Sequence, residues 1–222
     1  MTAPSPHASH AVLPLFPLGT TLFPQGLLSL RVFELRYLAM IGECHRTGQP
    51  FGVVSLTQGA EVRLPGAEIE QFAHIGTLAR ITRLDKPQPG LLLIECEGSQ
   101  RFRIHSRSQQ KNSLWTAQVE TLSDEPPLAI PPDLQHTAQA LERLVQALQA
   151  RHDQQAAAGA PVPRLPVGLP HRFDDGAWVA NRWCELLPVQ AELRQRLLEL
   201  DSPLVRLELV SDLLARTGIA SG

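Results

Sequence analysis

Lysine is almost missing from this chain: Lys86 and Lys111 are its only two, and neither follows a glycine-rich loop. A loop that cradles phosphates needs a lysine in that setting, so no P-loop is present. Cysteine is also sparse. Cys44, Cys96 and Cys184 are odd in number, far apart and each in an apolar context. That pattern favours small buried thiols over a disulfide framework and fits a reducing compartment. No apolar run approaches the ~20 residues that cross a bilayer; Leu91–Ile94 is among the longest. The opening Met1–His10 is small and polar with no apolar h-region, so no signal peptide is expected. The formal net charge of −2 gives no global attraction to nucleic acid or membrane. His45, His74, His105, His136, His152 and His171 are scattered without zinc-ligand spacing. There is no Gly-x-Ser-x-Gly elbow and no paired-carboxylate motif. These absences predict a cytoplasmic protein with no catalytic residues, cofactor or metal, and no membrane partner.

What the chain does have begins at Leu13-Pro14-Leu15-Phe16-Pro17-Leu18-Gly19, followed by Phe23-Pro24. Proline lacks an N–H and avoids central strands. The segment is therefore expected along a sheet edge or between short strands. Phe33, Tyr37, Ile41 and Cys44 then recur at helical spacing. Phe51–Leu56 reads as a short strand, and Gly76–Thr82 alternates with Thr77, Ala79 and Ile81 on one face. Leu92, Ile94 and Cys96 form an inward set, as do Phe102 and Ile104. A hairpin through Gly98-Ser99-Gln100 places Glu97 opposite Arg101 and Glu95 opposite Arg103, keeping both sets on one face. Trp115, Ala117 and Val119 suggest one more strand.

The prolines between Asp124 and Pro132 break this region. Leu134, Ala138, Leu141, Val145 and Leu148 then stripe a helix, with Asp133 as its expected cap. The Ala-, Gly- and Pro-rich stretch after Gln154 reads as a loop or linker over 154–172. Asp174 or Asp175 can cap a helix whose inner face holds Val179, Trp183, Leu186 and Leu187, ended by Pro188. Leu193, Leu197 and Leu200 stripe the next. Ser202-Pro203 opens a last helix carrying Leu207, Val210 and Leu214, with Gly218 as its stop. Strands first and helices later predict an α+β protein. The expected division is a disordered 1–10, a β-rich 11–124 and a helical 125–218.

The order LPLFPLG, FP, then Arg31, Phe33-Glu34 and Arg36-Tyr37 resembles the opening of the Lon protease substrate-binding (N-terminal) domain. Gly76-Thr77-Leu78-Ala79, Gly98-x-x-Arg101-Phe102-Arg103-Ile104 and the helical end around Leu187-Pro188, Leu197–Glu199 and Arg206-Leu207 extend that resemblance over residues 11 to 217. Family members often carry lysine about where Arg194 stands. The resemblance implies a PUA-like bent β-sheet pseudo-barrel followed by a C-terminal helical bundle, and a role in substrate recognition. The ATPase and Ser-Lys peptidase modules of full-length Lon proteases are not expected in this chain.

Two surfaces are candidates for binding. Leu15, Phe16, Leu18 and Phe23 form either core or a groove for an extended apolar peptide, taken up by edge pairing and side-chain pockets. Arg101, Arg103, His105, Arg107 and Lys111 would align along a strand, either as a polyanion contact for RNA, which PUA-like folds often bind, or as a solvated face neutralised by Glu95 and Glu97. Glu34 and Arg36, two apart, cannot pair on one helix face and are expected to pin nearby backbone. The leading partner is an unfolded or exposed apolar protein segment, with RNA the alternative; the sequence leaves the oligomeric state open.

Overall fold

The computed structural model describes residues 11–61, 69–159, 162 and 164–217. The expectations for 1–10 and for Gly218 lie outside the described residues. The chain divides into two compact units. The first takes in residues up to Thr21 together with Leu28–Ser123; the second takes in Leu22–Leu27 and everything from Asp124 onward.

The first unit is built on a single sheet. Its strands are β1 (Ala11–Leu18), β2 (Leu27–Val32), β3 (Phe51–Gln58), β4 (Gln71–Phe72), β5 (Ile75–Gln88), β6 (Leu91–Gln109) and β7 (Trp115–Thr121), with helix α1 (Leu35–Thr47) between β2 and β3. The path β1-β7-β6-β5-β3 closes on itself because β1 also pairs β3 in parallel. The result is the bent pseudo-barrel expected, with β2 beside β6 and β4 beside β3.

Among the described residues, β1 has an unpaired side along most of its length, as expected of a segment at a sheet edge or between short strands. Its first half pairs β7, Pro14 opposite Thr116, and its second half pairs β3, Pro17 opposite Val54. Because each half has one neighbour, each proline can turn its missing N–H to an unpaired side. The barrel interior holds Leu13, Leu15, Val54, Phe72, Phe102, Ile104, Trp115, Ala117 and Val119. Two glycines let its walls approach. A Cβ on Gly76 would stand 2.3 Å from the Val53 carbonyl oxygen, and one on Gly52 would meet Leu13, Leu15 and Phe102 side chains at 2.7–2.8 Å.

The hairpin expected through Gly98-Ser99-Gln100 does not form: β6 runs unbroken from Leu91 to Gln109. Leu92, Ile94, Cys96, Phe102 and Ile104 all point inward, as expected. A register shift between the two sets inverts the alternation, however, so their burial does not place them on one face of the strand. Gly98 marks a bulge rather than a turn, since Gly98 to Arg101 spans three positions opposite the two from Thr77 to Ala79. The turn is instead at Gly90, where φ is +78°. Glu97 therefore faces Arg80, and Glu95 faces Arg83.

The second unit contains a short 3₁₀ turn at Pro132–Leu134 and helices α2 (Gln135–Ala157), α3 (Gly176–Leu186), α4 (Ala191–Glu199) and α5 (Pro203–Thr217). Asp133 does not cap α2; Leu134 holds the cap position without a side-chain bond. The helix also continues through Ala157, into the stretch read as linker. Asp175 does cap α3, accepting the N–H groups of Ala177 and Leu128, each at 3.1 Å. All residues from Gly176 to Cys184 are buried, so α3 is enclosed all round rather than on one face. Leu193 is exposed; α4 buries Leu197, as expected, together with Leu198. Arg206 of α5 is fully buried: it donates to the carbonyls of Leu197 (2.8 Å) and Leu200 (2.6 Å) and to Asn181 Oδ1 (2.8 Å), and it pairs with Glu125 at 2.6 Å.

The segment Leu22–Leu27 is held by α3. Arg182 donates to the Pro24 carbonyl at 2.8 Å and to that of Gln25, while its Nε pairs with Glu185 at 2.9 Å. Glu185 accepts the Phe23 N–H at 3.4 Å. Burial pushes the Glu185 carboxyl up to about 7, against the pull of Arg182, the Phe23 N–H and Arg194. Among the described residues, no helix is long and apolar enough to cross a membrane.

Candidate functional site

Helix α1 starts at a fixed polar knot. Glu34 is its N-cap, with extended backbone and no side-chain cap bond. Because Glu34 precedes the helix, its carboxylate can swing to Arg36, and the two do pair at 3.1 Å, contrary to the spacing argument. Arg36 also donates to Glu70 Oε1 (3.1 Å) and to the Ser113 carbonyl (3.0 Å). Trp115 Nε1 donates to Glu70 Oε2 at 3.3 Å. Burial acts to raise the Glu70 carboxyl, but its own backbone N–H, Trp115 and Arg36 together hold it below the usual range. A buried carboxylate and guanidinium thus satisfy each other and anchor α1 to residues 70 and 113.

Beside this knot lies a cleft of about 320 Å³, lined by Phe16 and Leu18 of β1, Ser29–Val32 of β2, Phe33, Glu34, Tyr37 and Glu61. Its floor is rigid: the Phe16 and Tyr37 rings stack at 4.0 Å, 17° apart, and Arg36 sits 4.5 Å over Tyr37. Burial drives the Tyr37 hydroxyl well above its usual range, so it stays neutral. Its lip is open and carries an apolar side chain, since Phe33 is 54% exposed. Leu35 and Ile69, also exposed, flank the Arg36–Glu70 pair in sequence. A second hollow of about 570 Å³ lies between α1 (Leu38, Gly42, His45) and the β5–β6 turn (Leu84, Lys86–Leu92).

Of the four groove residues expected, Phe16 and Leu18 line the first cleft. Leu15 and Phe23 are completely buried and do not: Leu15 is barrel core, and Phe23 packs within the second unit. Sequence reasoning missed β2 and Phe33 as lining. The latter was read as the start of a helix face, but α1 begins two residues later.

The basic stripe does not survive as one face. Arg101 is buried, while Arg103, His105, Arg107 and Lys111 are exposed. Arg103 lies opposite Glu120, and His105 Nε2 stands 3.2 Å from the same carboxylate. A register shift between Ile104 and Ser106 then inverts the alternation, so Arg107 falls opposite buried Ala117. Its guanidinium lies 4.4 Å over the Phe72 ring and 5.5 Å over Trp115. Ser108 and Lys111 stand at Ser-x-x-Lys spacing, against the expectation that the chain has no such motif. Ser108 is on β6, within 3.2 Å of the Thr116 hydroxyl, and Lys111 is in the turn beyond, so the helical geometry of that motif is missing.

Cys44, Cys96 and Cys184 are free and buried, and burial pushes Cys96 and Cys184 up to about 12. Among the described residues, no cluster of three His, Cys, Asp or Glu side chains converges as a metal site.

The family model for the ATP-dependent protease La (LON) substrate-binding domain matches residues 12–216. Lon protease of Anaeromyxobacter dehalogenans is 33% identical over 115 residues, and Lon protease 2 of Myxococcus xanthus is 34% identical over 115. Each alignment takes in 51% of this chain but only 13% of the relative's length. Among solved structures, a Lon N-terminal domain protein from Xanthomonas campestris is 31% identical, with a TM-score of 0.68, covering 91% of this chain and 98% of that one. The N-terminal domain of the Mycobacterium avium complex Lon protease shares the fold at 15% identity and a TM-score of 0.57, covering 92% and 98%.

Proposed function

Since this chain belongs to the LON substrate-binding domain family, we propose that it is a non-catalytic module that binds exposed apolar segments of other proteins, as an adaptor or quality-control factor. The supporting observation is the cleft between β1 and β2, with its stacked Phe16–Tyr37 floor and its half-exposed Phe33 lip. An apolar hollow with a few fixed polar groups, sized for one or two side chains, is what an apolar segment requires. The broken basic stripe gives no matching argument for RNA.

The test is a fluorescence titration with a reduced, unfolded model protein and with a short RNA, each at two salt concentrations. Apolar docking survives the higher salt, whereas phosphate-led binding weakens steeply. Binding of the RNA alone, or of neither probe, refutes the reading.

A further inference from the structure

The cleft is a gap between two strands. Among the described residues, β1 is paired over Phe16–Leu18 only with β3, β2 pairs only β6, and no pairing joins β1 to β2. Along β2 the side chains alternate: Ser29 and Arg31 are exposed, Leu30 is half-buried and Val32 is buried. All four line the cleft. Successive strand residues point to opposite faces, so residues of both faces can border one hollow only if it runs along the strand's edge.

From this we infer that the gap is a strand acceptor: an extended segment of another polypeptide pairs its backbone with the edge of β2 that no described strand occupies and sets alternate apolar side chains onto Phe16 and Tyr37. This rests on the apolar-segment reading above and specifies how the segment is held. β2 is the competent edge because Leu27–Val32 contains no proline, whereas β1 carries Pro17 and lacks that donor. A row of backbone donors and acceptors is complementary to another strand and to little else. The charges agree. Glu34 is neutralised by Arg36, which leaves Arg31 and Glu61, of opposite sign, at the lip. That balance suits an uncharged segment and disfavours a polyanion.

The experiment uses the full chain and a dye-labelled peptide, KSVTLTVSK, in three forms: unmodified, N-methylated at its apolar positions, and N-methylated at its threonines. Alternate N–H groups of a strand point to opposite edges, and the alternating pattern forbids a one-residue slip. One methylated form should lose affinity by about tenfold or more, and the other should stay within about threefold of the unmodified peptide. Equal affinities for both methylated forms overturn strand addition while leaving cleft binding intact. Loss of both the peptide and the unfolded protein overturns the binding reading itself. A dimer in sedimentation that the peptide fails to disperse assigns the edge to a second copy of this chain and refutes the inference.

Discussion

Phe33 is the residue on which apolar docking can be measured most directly, because it lines the cleft yet remains 54% exposed. A phenylalanine side chain offers about 200 Å² for burial. Roughly 110 Å² of it is therefore open to a partner, worth about 2.7 kcal/mol at ~25 cal/mol per Å² if wholly covered. A partner covering half of it gains about half as much. Phe33→Ser should weaken binding of an unfolded model protein by about 10- to 100-fold. The assay is fluorescence anisotropy at two salt concentrations, with thermal melting alongside. The folded state should lose about 2 kcal/mol, from the roughly 90 Å² of the ring that is already buried. Val12→Ser is the control: Val12 is 67% exposed but sits at the start of β1, outside the cleft. An affinity for Phe33→Ser within twofold of the parent, or an equal loss for Val12→Ser, would show that the cleft is not where apolar segments land.

Two further outcomes follow from the packing. Gly76→Ala forces a methyl against a backbone carbonyl and should destabilise the first unit by about 3 kcal/mol or more, whereas Gly52→Ala meets only movable side-chain ends and should cost less; equal losses in chemical denaturation contradict the account. Glu185, raised to about 7 by burial, contributes stability that is full below its unfolded value near 4.5 and falls as pH rises towards 7. Between pH 5 and 8, Glu185→Gln should therefore gain on the parent by up to about 3 kcal/mol, and a pH-independent difference between the two melting profiles refutes that sign.

Much of the barrel was legible because periodicity survives any connection. Leu92, Ile94, Cys96, Phe102 and Ile104 were placed inward correctly even though the strand carrying them was cut in two. Each half kept its own alternation, but the bulge between them shifts the parity, and Gly98 was given the meaning glycine has in turns rather than in bulges. The prolines of β1 were a sound guide: proline avoids a strand paired on both sides, and β1 divides its partners along its length. In the helical half, Asp175 and Ser202-Pro203 were readable because capping is local chemistry; Ser202 Oγ accepts the Val205 N–H at 3.3 Å. Asp133 failed because the 3₁₀ turn moved the helix start. The cleft was only half legible. Phe16 and Leu18 could be proposed from their apolar surplus, but β2 and Phe33 enter through a gap in strand pairing, and pairing is not written in either strand alone. Glu34 and Arg36 show the same limit, since a helix spacing rule fails when one partner stands just outside the helix.

The path of the chain has a practical consequence for anyone dissecting the molecule. It passes between the two units at 21/22, at 27/28 and again at 123/124. A fragment begun at Asp124 would thus keep Arg182 but forfeit the carbonyls of Pro24 and Gln25 that receive its protons. Cutting at the last crossing does not yield two self-sufficient halves, because Leu22–Leu27 belongs with the helical unit and supplies partners to α3.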